Sequence, residues 1–165
     1  MAAIKDDIKA LLFDFSRTLI FPRDKTYRGD LNPLHRKLKS ENKNYNFFSY
    51  FRLNTELLDY LARLSDRFSL YIFTSGSIQN APEIADKLRE RFKEIYSAEQ
   101  LDLSKKDPSA YEYLIKILEL PGKEILFIDD SIGNIEAAKK AGLKTFLYTS
   151  NTSLISELEK LKIDR

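Results

Sequence analysis

The stretch "EILFIDDSIGNIEAAKKAGL", residues 124–143, contains a complete strand-to-helix unit. Its first part is a short apolar run that ends in two aspartates, Asp129 and Asp130. A run that is apolar on both faces is typical of a strand buried inside a parallel sheet. The second part has the composition of a helix, and Gly142 can take the left-handed conformation that ends one. The stretch therefore predicts a strand, a polar turn and a return helix.

The same order of apolar run and helical pattern recurs along the chain. Further strands are predicted at "KALLFDF" (9–15), "SLYIFTS" (69–75) and "KTFLYTS" (144–150), with a brief one near "EIYSA" (94–98). Helical spacing of apolar residues predicts helices over 54–67, 82–92, 107–120 and 151–162. Strands that alternate with helices predict an α/β fold, with a doubly wound, Rossmann-like parallel sheet covered by helices on both faces.

Capping residues mark two of the helix starts. Asn54 can accept hydrogen bonds from the free amides of the first turn of the helix at 54–67. Asp107 can do the same for the helix that follows it, and Pro108 suits the first helical position because its missing donor would be unpaired there. Both boundaries are therefore readable from local sequence.

Residues 21–52 separate the first strand from its return helix and show no sustained periodicity. We therefore expect one domain over residues 1–165 that carries a small, cap-like insertion at 21–52. Seven Lys or Arg residues lie between Arg23 and Lys43 against three acids, and the aromatic run "YNFFSYF" follows. Two interpretations stay open: a basic lip over a site for a phosphorylated substrate, or a solvated loop followed by aromatic residues that pack on the sheet.

Composition excludes several classes of function. The chain of 165 residues has 27 Lys and Arg against 25 Asp and Glu, so the charge gives no reason to expect a nucleic-acid or membrane partner. Cysteine is absent and His35 is the single histidine, which excludes disulfides, thiolate or multi-histidine metal sites and a cysteine nucleophile. No apolar run approaches the roughly 20 residues of a membrane span. Asp6 and Asp7 lie where a secretory signal would need its apolar core, so we expect a soluble, cytoplasmic protein. The sequence does not indicate an oligomeric state.

Polar residues follow the predicted strands at their carboxyl ends. In open α/β sheets, ligands bind beyond that edge. We therefore expect one site to bring together Asp14, Thr74, Ser75, Asp129 and Asp130.

Four stretches in this order resemble the signatures of the haloacid dehalogenase superfamily: "FDFSRTL", "FTSGS", "SKKDPSAY" and "LFIDDSIGNIEAAKKAGL". Members of this superfamily are mostly magnesium-dependent phosphatases. The resemblance implies that Asp14 attacks phosphorus and forms an aspartyl-phosphate. It further implies a Mg²⁺ ion held by Asp14, the backbone carbonyl of Ser16 and Asp130, with Asp129 as a ligand or in support, and a phosphorylated substrate of unknown identity.

The resemblance also gives roles to residues of the other two motifs. Thr74, Ser75 and Gly76 would bind phosphoryl oxygens, and Lys105 would neutralise the phosphate and orient the nucleophile. Lys106 stands where the family usually has proline, so which lysine faces the site stays open. Asn134 falls where the family often has a residue that supports the metal site.

Ser16 is the main departure from the family pattern. The family's phosphatases have an aspartate there that protonates the leaving oxygen and then activates water, a contribution of about a hundred- to ten-thousand-fold in rate. Serine is not an equivalent acid or base near neutral pH, although its hydroxyl can position water. Three outcomes stay open: a slow phosphatase or one restricted to good leaving groups, a different hydrolytic chemistry, or a protein that binds a phosphorylated ligand or a protein partner without turnover.

Overall fold

The structure is a computed structural model that describes residues 7–163, so both ends of the predicted domain, 1–6 with Asp6 and 164–165, lie outside the described residues. The elements follow one another as β1 (Ala10–Phe13), β2 (Ile20–Pro22), α1 (Leu31–Glu41), α2 (Phe47–Tyr50), β3 (Phe51–Leu53), α3 (Thr55–Ala62), β4 (Ser69–Thr74), α4 (Pro82–Arg91), β5 (Glu94–Ser97), α5 (Pro108–Leu118), β6 (Ile125–Asp129), α6 (Ile132–Lys140), β7 (Lys144–Leu147) and α7 (Asn151–Ile163).

The sheet that the sequence predicts is present. Its strand order is β5-β4-β1-β6-β7, and every pair of neighbours is parallel. The central strand β1 is paired on both sides, because Ala10 is in register with Ser69 of β4 and with Ile125 of β6. This arrangement confirms the α/β fold class, and it places the carboxyl ends of β1, β4 and β6 side by side.

Both faces of the sheet are covered, which explains why its central strands β1 and β6 are buried over their whole length. Alternate residues of β1 point to opposite faces: Leu11 and Phe13 belong to one buried cluster, and Leu12 belongs to the other. Helices α3, α4 and α7 contribute buried residues to the first cluster, and α5 and α6 contribute to the second.

The predicted helix caps are confirmed, although the helices are shorter than expected. The side chain of Asn54 accepts a hydrogen bond from the amide of Leu57, and that of Asp107 accepts one from Ser109. Gly142 has a φ of +97°, the left-handed conformation that follows α6. The helix expected over 107–120 ends at Leu118 because Glu119 turns the backbone left-handed, with a φ of 53°.

The insertion at 21–52 contains more regular structure than its sequence indicated. Helix α1 spans 11 residues of it, and β2 pairs with β3 in a small antiparallel ribbon that closes its base. His35 of α1 is buried, its Nδ1 lies 2.8 Å from the Tyr45 hydroxyl, and its ring meets those of the buried Phe47 and Phe51. The aromatic run thus packs against α1 and the core. Within residues 7–163, no helix has the length and apolar character needed to cross a membrane.

Candidate functional site

A cleft of about 770 Å³ opens beyond the carboxyl ends of β1, β4 and β6. The residues predicted for the site that line it are Asp14, Ser16, Ser75, Gly76, Lys105, Asp129, Asp130 and Asn134. Strand topology is what brings them together, since they come from four separate motifs. Polar side chains dominate the lining.

Asp14 and Asp129 occupy neighbouring strand ends at the base of the cleft. The amide of Asp14 donates to the carbonyl of Ile128 at 2.8 Å, which continues the pairing of β1 with β6. Asp129 is fully buried: its Oδ1 accepts a hydrogen bond from the amide of Ser131 at 2.8 Å, and its Oδ2 accepts one from Asn134 Nδ2 at 2.9 Å. Asn134 therefore orients Asp129.

Lys105 lies between these two carboxylates. Its Nζ is 2.5 Å from Asp14 Oδ1 and 2.8 Å from Asp129 Oδ2, and its side chain is 4% exposed. The ammonium also lies 5.5 Å from the ring centroid of Phe73 and 5.6 Å from that of Phe127, where an aromatic face attracts a cation. These contacts fix the charged end of the lysine before any ligand arrives.

The backbone of the lysine loop is also held. The buried Tyr111 hydroxyl donates to the carbonyl of Lys105 at 2.7 Å. Lys106 is exposed and only borders the cleft. The choice between the two lysines that the sequence left open is thus decided geometrically, because Lys105 is the one that contacts the carboxylates.

Burial and mutual repulsion shift the titration of the acidic groups. Burial raises the pKa of Asp14 to about 7, with Lys105 opposing the shift and Asp129 adding to it. Desolvation of its carboxylate raises the pKa of Asp130 to about 6, although the residue as a whole is exposed. Repulsion from Asp129 is the second largest cause of this shift. Burial alone would lower the pKa of Lys105, but Asp14 and Asp129 raise it above its usual value. The site therefore concentrates negative charge that one lysine does not fully balance.

The three carboxylates fit a divalent cation. Asp14, Asp129 and Asp130 each offer an oxygen, and these oxygens lie within 4.8 Å of one another. Hard carboxylate and carbonyl oxygens are the ligands that Mg²⁺ and Ca²⁺ take in proteins. Without a cation, carboxylates this close repel one another, which is the origin of part of the pKa shifts above.

Thr74, for which the family resemblance implies binding of phosphoryl oxygens, lies outside the cleft lining. Its side chain is buried at the end of β4, and its hydroxyl has no hydrogen-bond partner within residues 7–163. Ser75 and Gly76, which follow it, do line the cleft. The turn thus presents its later residues to the cleft and leaves one buried hydroxyl unpaired.

The turn after β4 is pinned from two sides. The carbonyl of Gly76 accepts hydrogen bonds from Gln79 Nε2 at 2.7 Å and from the Ser97 hydroxyl at 2.8 Å. From the other side, Asn32 Oδ1 of α1 accepts from the amides of Ser77 and Ile78, both at 2.9 Å. A Cβ at Gly76 would lie 2.6 Å from Asn32 Cγ, so only glycine allows this approach.

Several cleft residues were not singled out from the sequence: Arg17, Asp30, Asn32, Arg36 and Glu99. Arg17 directly follows Ser16 in a left-handed conformation, with a φ of 63°. Its guanidinium donates to the carbonyls of Gly29 at 2.7 Å and Tyr27 at 3.3 Å. Its place in the motif at 13–19 was the one available signal for Arg17. Asp30, Asn32 and Arg36 reach the cleft only through the packing of the insertion, and Glu99 reaches it from the turn after β5.

A family model described as haloacid dehalogenase-like hydrolase matches residues 41–142. The match is more than half of the chain, and it includes Thr74, Lys105, Asp129 and Asp130. It begins after the loop that carries Asp14 and Ser16.

Curated relatives match only part of their own length. Enolase-phosphatase E1 of Methylococcus capsulatus is 34% identical over 84 residues, which cover 48% of this chain and 36% of that protein. D-ribitol-5-phosphate phosphatase of Bacteroides thetaiotaomicron is 27% identical over 127 residues, which cover 72% of this chain and 61% of that protein. The chain thus spans less than two thirds of either relative.

Solved structures share the fold over nearly their whole length. A HAD family enzyme from Bacteroides thetaiotaomicron, in a magnesium complex, superposes with a TM-score of 0.68 at 19% identity, covering 92% of this chain and 99% of that one. A 2-haloacid dehalogenase from Pseudomonas syringae superposes with a TM-score of 0.65 at 16% identity, covering 93% and 99%. One of these two structures is named as a dehalogenase and the other is a magnesium complex of a HAD family enzyme. The fold alone therefore does not choose between phosphate and halide chemistry.

Proposed function

Because the chain belongs to the haloacid dehalogenase-like hydrolases, we propose that it is a magnesium-dependent phosphohydrolase that forms an aspartyl-phosphate on Asp14. The observation that carries this proposal is the buried Lys105 paired with Asp14 and Asp129 beside a third carboxylate. The names of the curated relatives support phosphate chemistry, since they include an enolase-phosphatase, a ribitol-phosphate phosphatase and a phosphoglycolate phosphatase.

The cation would be held by carboxylate oxygens of Asp14 and Asp130 and by the backbone carbonyl of Ser16. Asp129 would act as a ligand or hold the others in place. A bound Mg²⁺ supplies positive charge between an anionic nucleophile and an anionic substrate. The serine side chain does not prevent this, because the carbonyl at position 16 is independent of it.

The chain's own residues would do the remaining work. Asp14 supplies the attacking oxygen, and Lys105 fixes the direction of that carboxylate and offers charge to the phosphoryl group. The amides of Ser75 and Gly76 lie in the turn that faces the cleft and would bind phosphoryl oxygens. Asn134 holds the carboxylate of Asp129 in place, so that this carboxylate does not have to reorient during the reaction.

A second candidate function is a phosphate-binding protein with little turnover. The serine at position 16 favours it, because the proton transfer worth about 10²–10⁴ in rate has no obvious donor in the nucleophile motif. Both candidates use the same cleft and the same cation, so binding measurements alone will not separate them. Turnover and the covalent intermediate will.

The test uses acetyl phosphate and p-nitrophenyl phosphate, whose leaving groups need little protonation, with Mg²⁺ present or chelated. We expect phosphate release that requires both Mg²⁺ and Asp14, with Asp14→Asn as the control of equal shape. Intact-protein mass spectrometry should detect one phosphoryl group on the wild-type chain and none on the variant. Turnover that survives Asp14→Asn would reject Asp14 as the nucleophile, and bound phosphate without turnover or adduct would favour the second candidate.

A further inference from the structure

The proposed function leaves one step without a residue, and the cleft contains a carboxylate that can take it. Asp30 lies directly before α1 and lines the same cleft as Asp14 and Ser16. We propose that Asp30 is the general acid and base that position 16 lacks. This inference rests on the proposed phosphohydrolase function and assigns a residue that the nucleophile motif does not provide.

The carboxylate of Asp30 is not used by the fold. Asp30 occupies the N-cap position of α1 with extended backbone, φ −70° and ψ 138°, where an aspartate usually accepts a hydrogen bond from the first turn. It makes no such bond, and within residues 7–163 its carboxylate has no hydrogen bond or ion pair. Because the side chain of Asp30 does not accept a capping hydrogen bond and borders a polar cleft, its carboxylate can contact a substrate.

The segment before Asp30 is tied to the nucleophile loop. The guanidinium of Arg17, the residue next to Ser16, donates to the carbonyl of Gly29 at 2.7 Å. The Tyr27 hydroxyl donates to the carbonyl of Asp30 at 3.1 Å. The same phenol packs so closely on Gly29 that an added Cβ would lie 2.4 Å from its oxygen. Asp30 is therefore held at a fixed place relative to the loop that carries the nucleophile.

The other carboxylates of the cleft are less suited to the role. Asp129 is saturated by Ser131, Asn134 and Lys105, and Asp130 belongs to the proposed cation site. Glu99 also lines the cleft, but it follows β5, and its amide donates to the carbonyl of Ser75 rather than to the nucleophile loop. Glu99 is thus the competitor that an experiment must separate from Asp30.

The proposed step balances in protons and bonds. An oxygen of Asp14 attacks phosphorus, the bond from phosphorus to the leaving oxygen breaks, and that oxygen takes its electron pair and the proton of Asp30. A water molecule then attacks the phosphorus of the aspartyl-phosphate and gives a proton to the Asp30 carboxylate. The bond from phosphorus to Asp14 breaks, inorganic phosphate leaves, and both aspartates return to their starting states.

The experiment compares Asp30→Asn with Glu99→Gln, and uses Glu41→Gln, at the far end of α1, as the matched control outside the cleft. With β-glycerol phosphate, whose alkoxide needs a proton, Asp30→Asn should lower kcat/KM by about a hundredfold or more. With acetyl phosphate, the leaving acetate needs none, so the variant should form the phosphoenzyme normally and hydrolyse it slowly. Intact-mass measurements should therefore show a larger phosphorylated fraction in Asp30→Asn than in Glu41→Gln, whose phosphorylated fraction should match that of the wild-type chain.

One further variant and the comparison with Glu99→Gln make the outcome decisive. Ser16→Asp added to Asp30→Asn should restore at least about tenfold of the lost rate, because it returns a carboxylate to the usual position. A lower kcat/KM and an accumulated phosphoenzyme in Glu99→Gln, together with normal turnover in Asp30→Asn, would overturn the inference while leaving the proposed function intact. A folded wild-type chain with neither turnover nor adduct on Asp14 would overturn the proposed function and this inference with it.

Discussion

Replacing Lys105 with methionine should destabilise the protein strongly. Lys105 and its two partners are almost fully buried, with side chains 4%, 7% and 0% exposed, so water cannot screen the loss. At an effective dielectric constant of about 20, two unit charges 2.8 Å apart attract by about 6 kcal/mol before desolvation is counted. Removing one member of a buried ion pair typically costs about 3–5 kcal/mol net. That range is a large part of the ~5–15 kcal/mol that stabilises an ordinary domain.

The assay is urea unfolding followed by circular dichroism, with Lys106→Met as the control. Lys106 is adjacent but exposed, so its variant should stay within about 0.5 kcal/mol of the wild type. The deficit of Lys105→Met should shrink from pH 8 to pH 5. The pKa of Asp14 is already raised to about 7, and without the lysine it rises further, so protonation at pH 5 removes the unpaired charge.

Magnesium gives a second check on the same variant. A divalent cation brings positive charge to the same carboxylates, so adding Mg²⁺ at pH 8 should recover part of the lost stability. A deficit below about 1 kcal/mol, or one of equal size at pH 8 and pH 5, would show that Lys105 does not hold the charge of this site together.

Three further predictions concern the same cleft. Magnesium should raise the melting temperature more at pH 8 than at pH 5, because the raised pKa values of Asp14 and Asp130, about 7 and 6, keep both protonated in acid; calorimetry should find binding at least about tenfold weaker at pH 5. Asn32→Ala should raise KM for phosphate esters severalfold, because the amides of Ser77 and Ile78 lose their acceptor and the turn after β4 loosens; steady-state kinetics with p-nitrophenyl phosphate decides. Tyr111→Phe should cost about 1–2 kcal/mol in urea unfolding, because the buried carbonyl of Lys105 loses its donor.

The strands and their terminal acids were predictable because their signals are local. A short run that is apolar on both faces and ends in aspartate gives strand, face and site at once, as at residues 125–129. Parallel topology then requires Asp14 and Asp129 to meet, since β1 and β6 are neighbours. Lys105 was expected at the site for the family resemblance alone, and the sequence could not separate it from Lys106. Burial of one lysine between two carboxylates separates them.

The insertion could not be placed, although part of its signal was present. Leu31, Leu34 and Leu38 have helical spacing, but the polar and charged residues between them obscure this apolar face of the helix. Asp30 was therefore not recognised as the start of a helix. The contacts that matter there join residues far apart in sequence, such as Asn32 to the turn after β4. No local pattern encodes such a contact. The orphaned hydroxyl of Thr74 was missed for a similar reason, since motif position does not reveal what a side chain touches.

The strand order has a consequence for synthesis on the ribosome. Strand β1 is the earliest of the sheet, yet its two neighbours emerge much later, because Ala10 pairs with Ser69 on one side and with Ile125 on the other. A nascent chain that has not reached β6 leaves one edge of an apolar strand open, and open edges recruit other chains. Long-range parallel pairing is also slow. We therefore expect fragments truncated before β6 to aggregate, and ion-dependent protection from proteases to appear only in chains that extend through it.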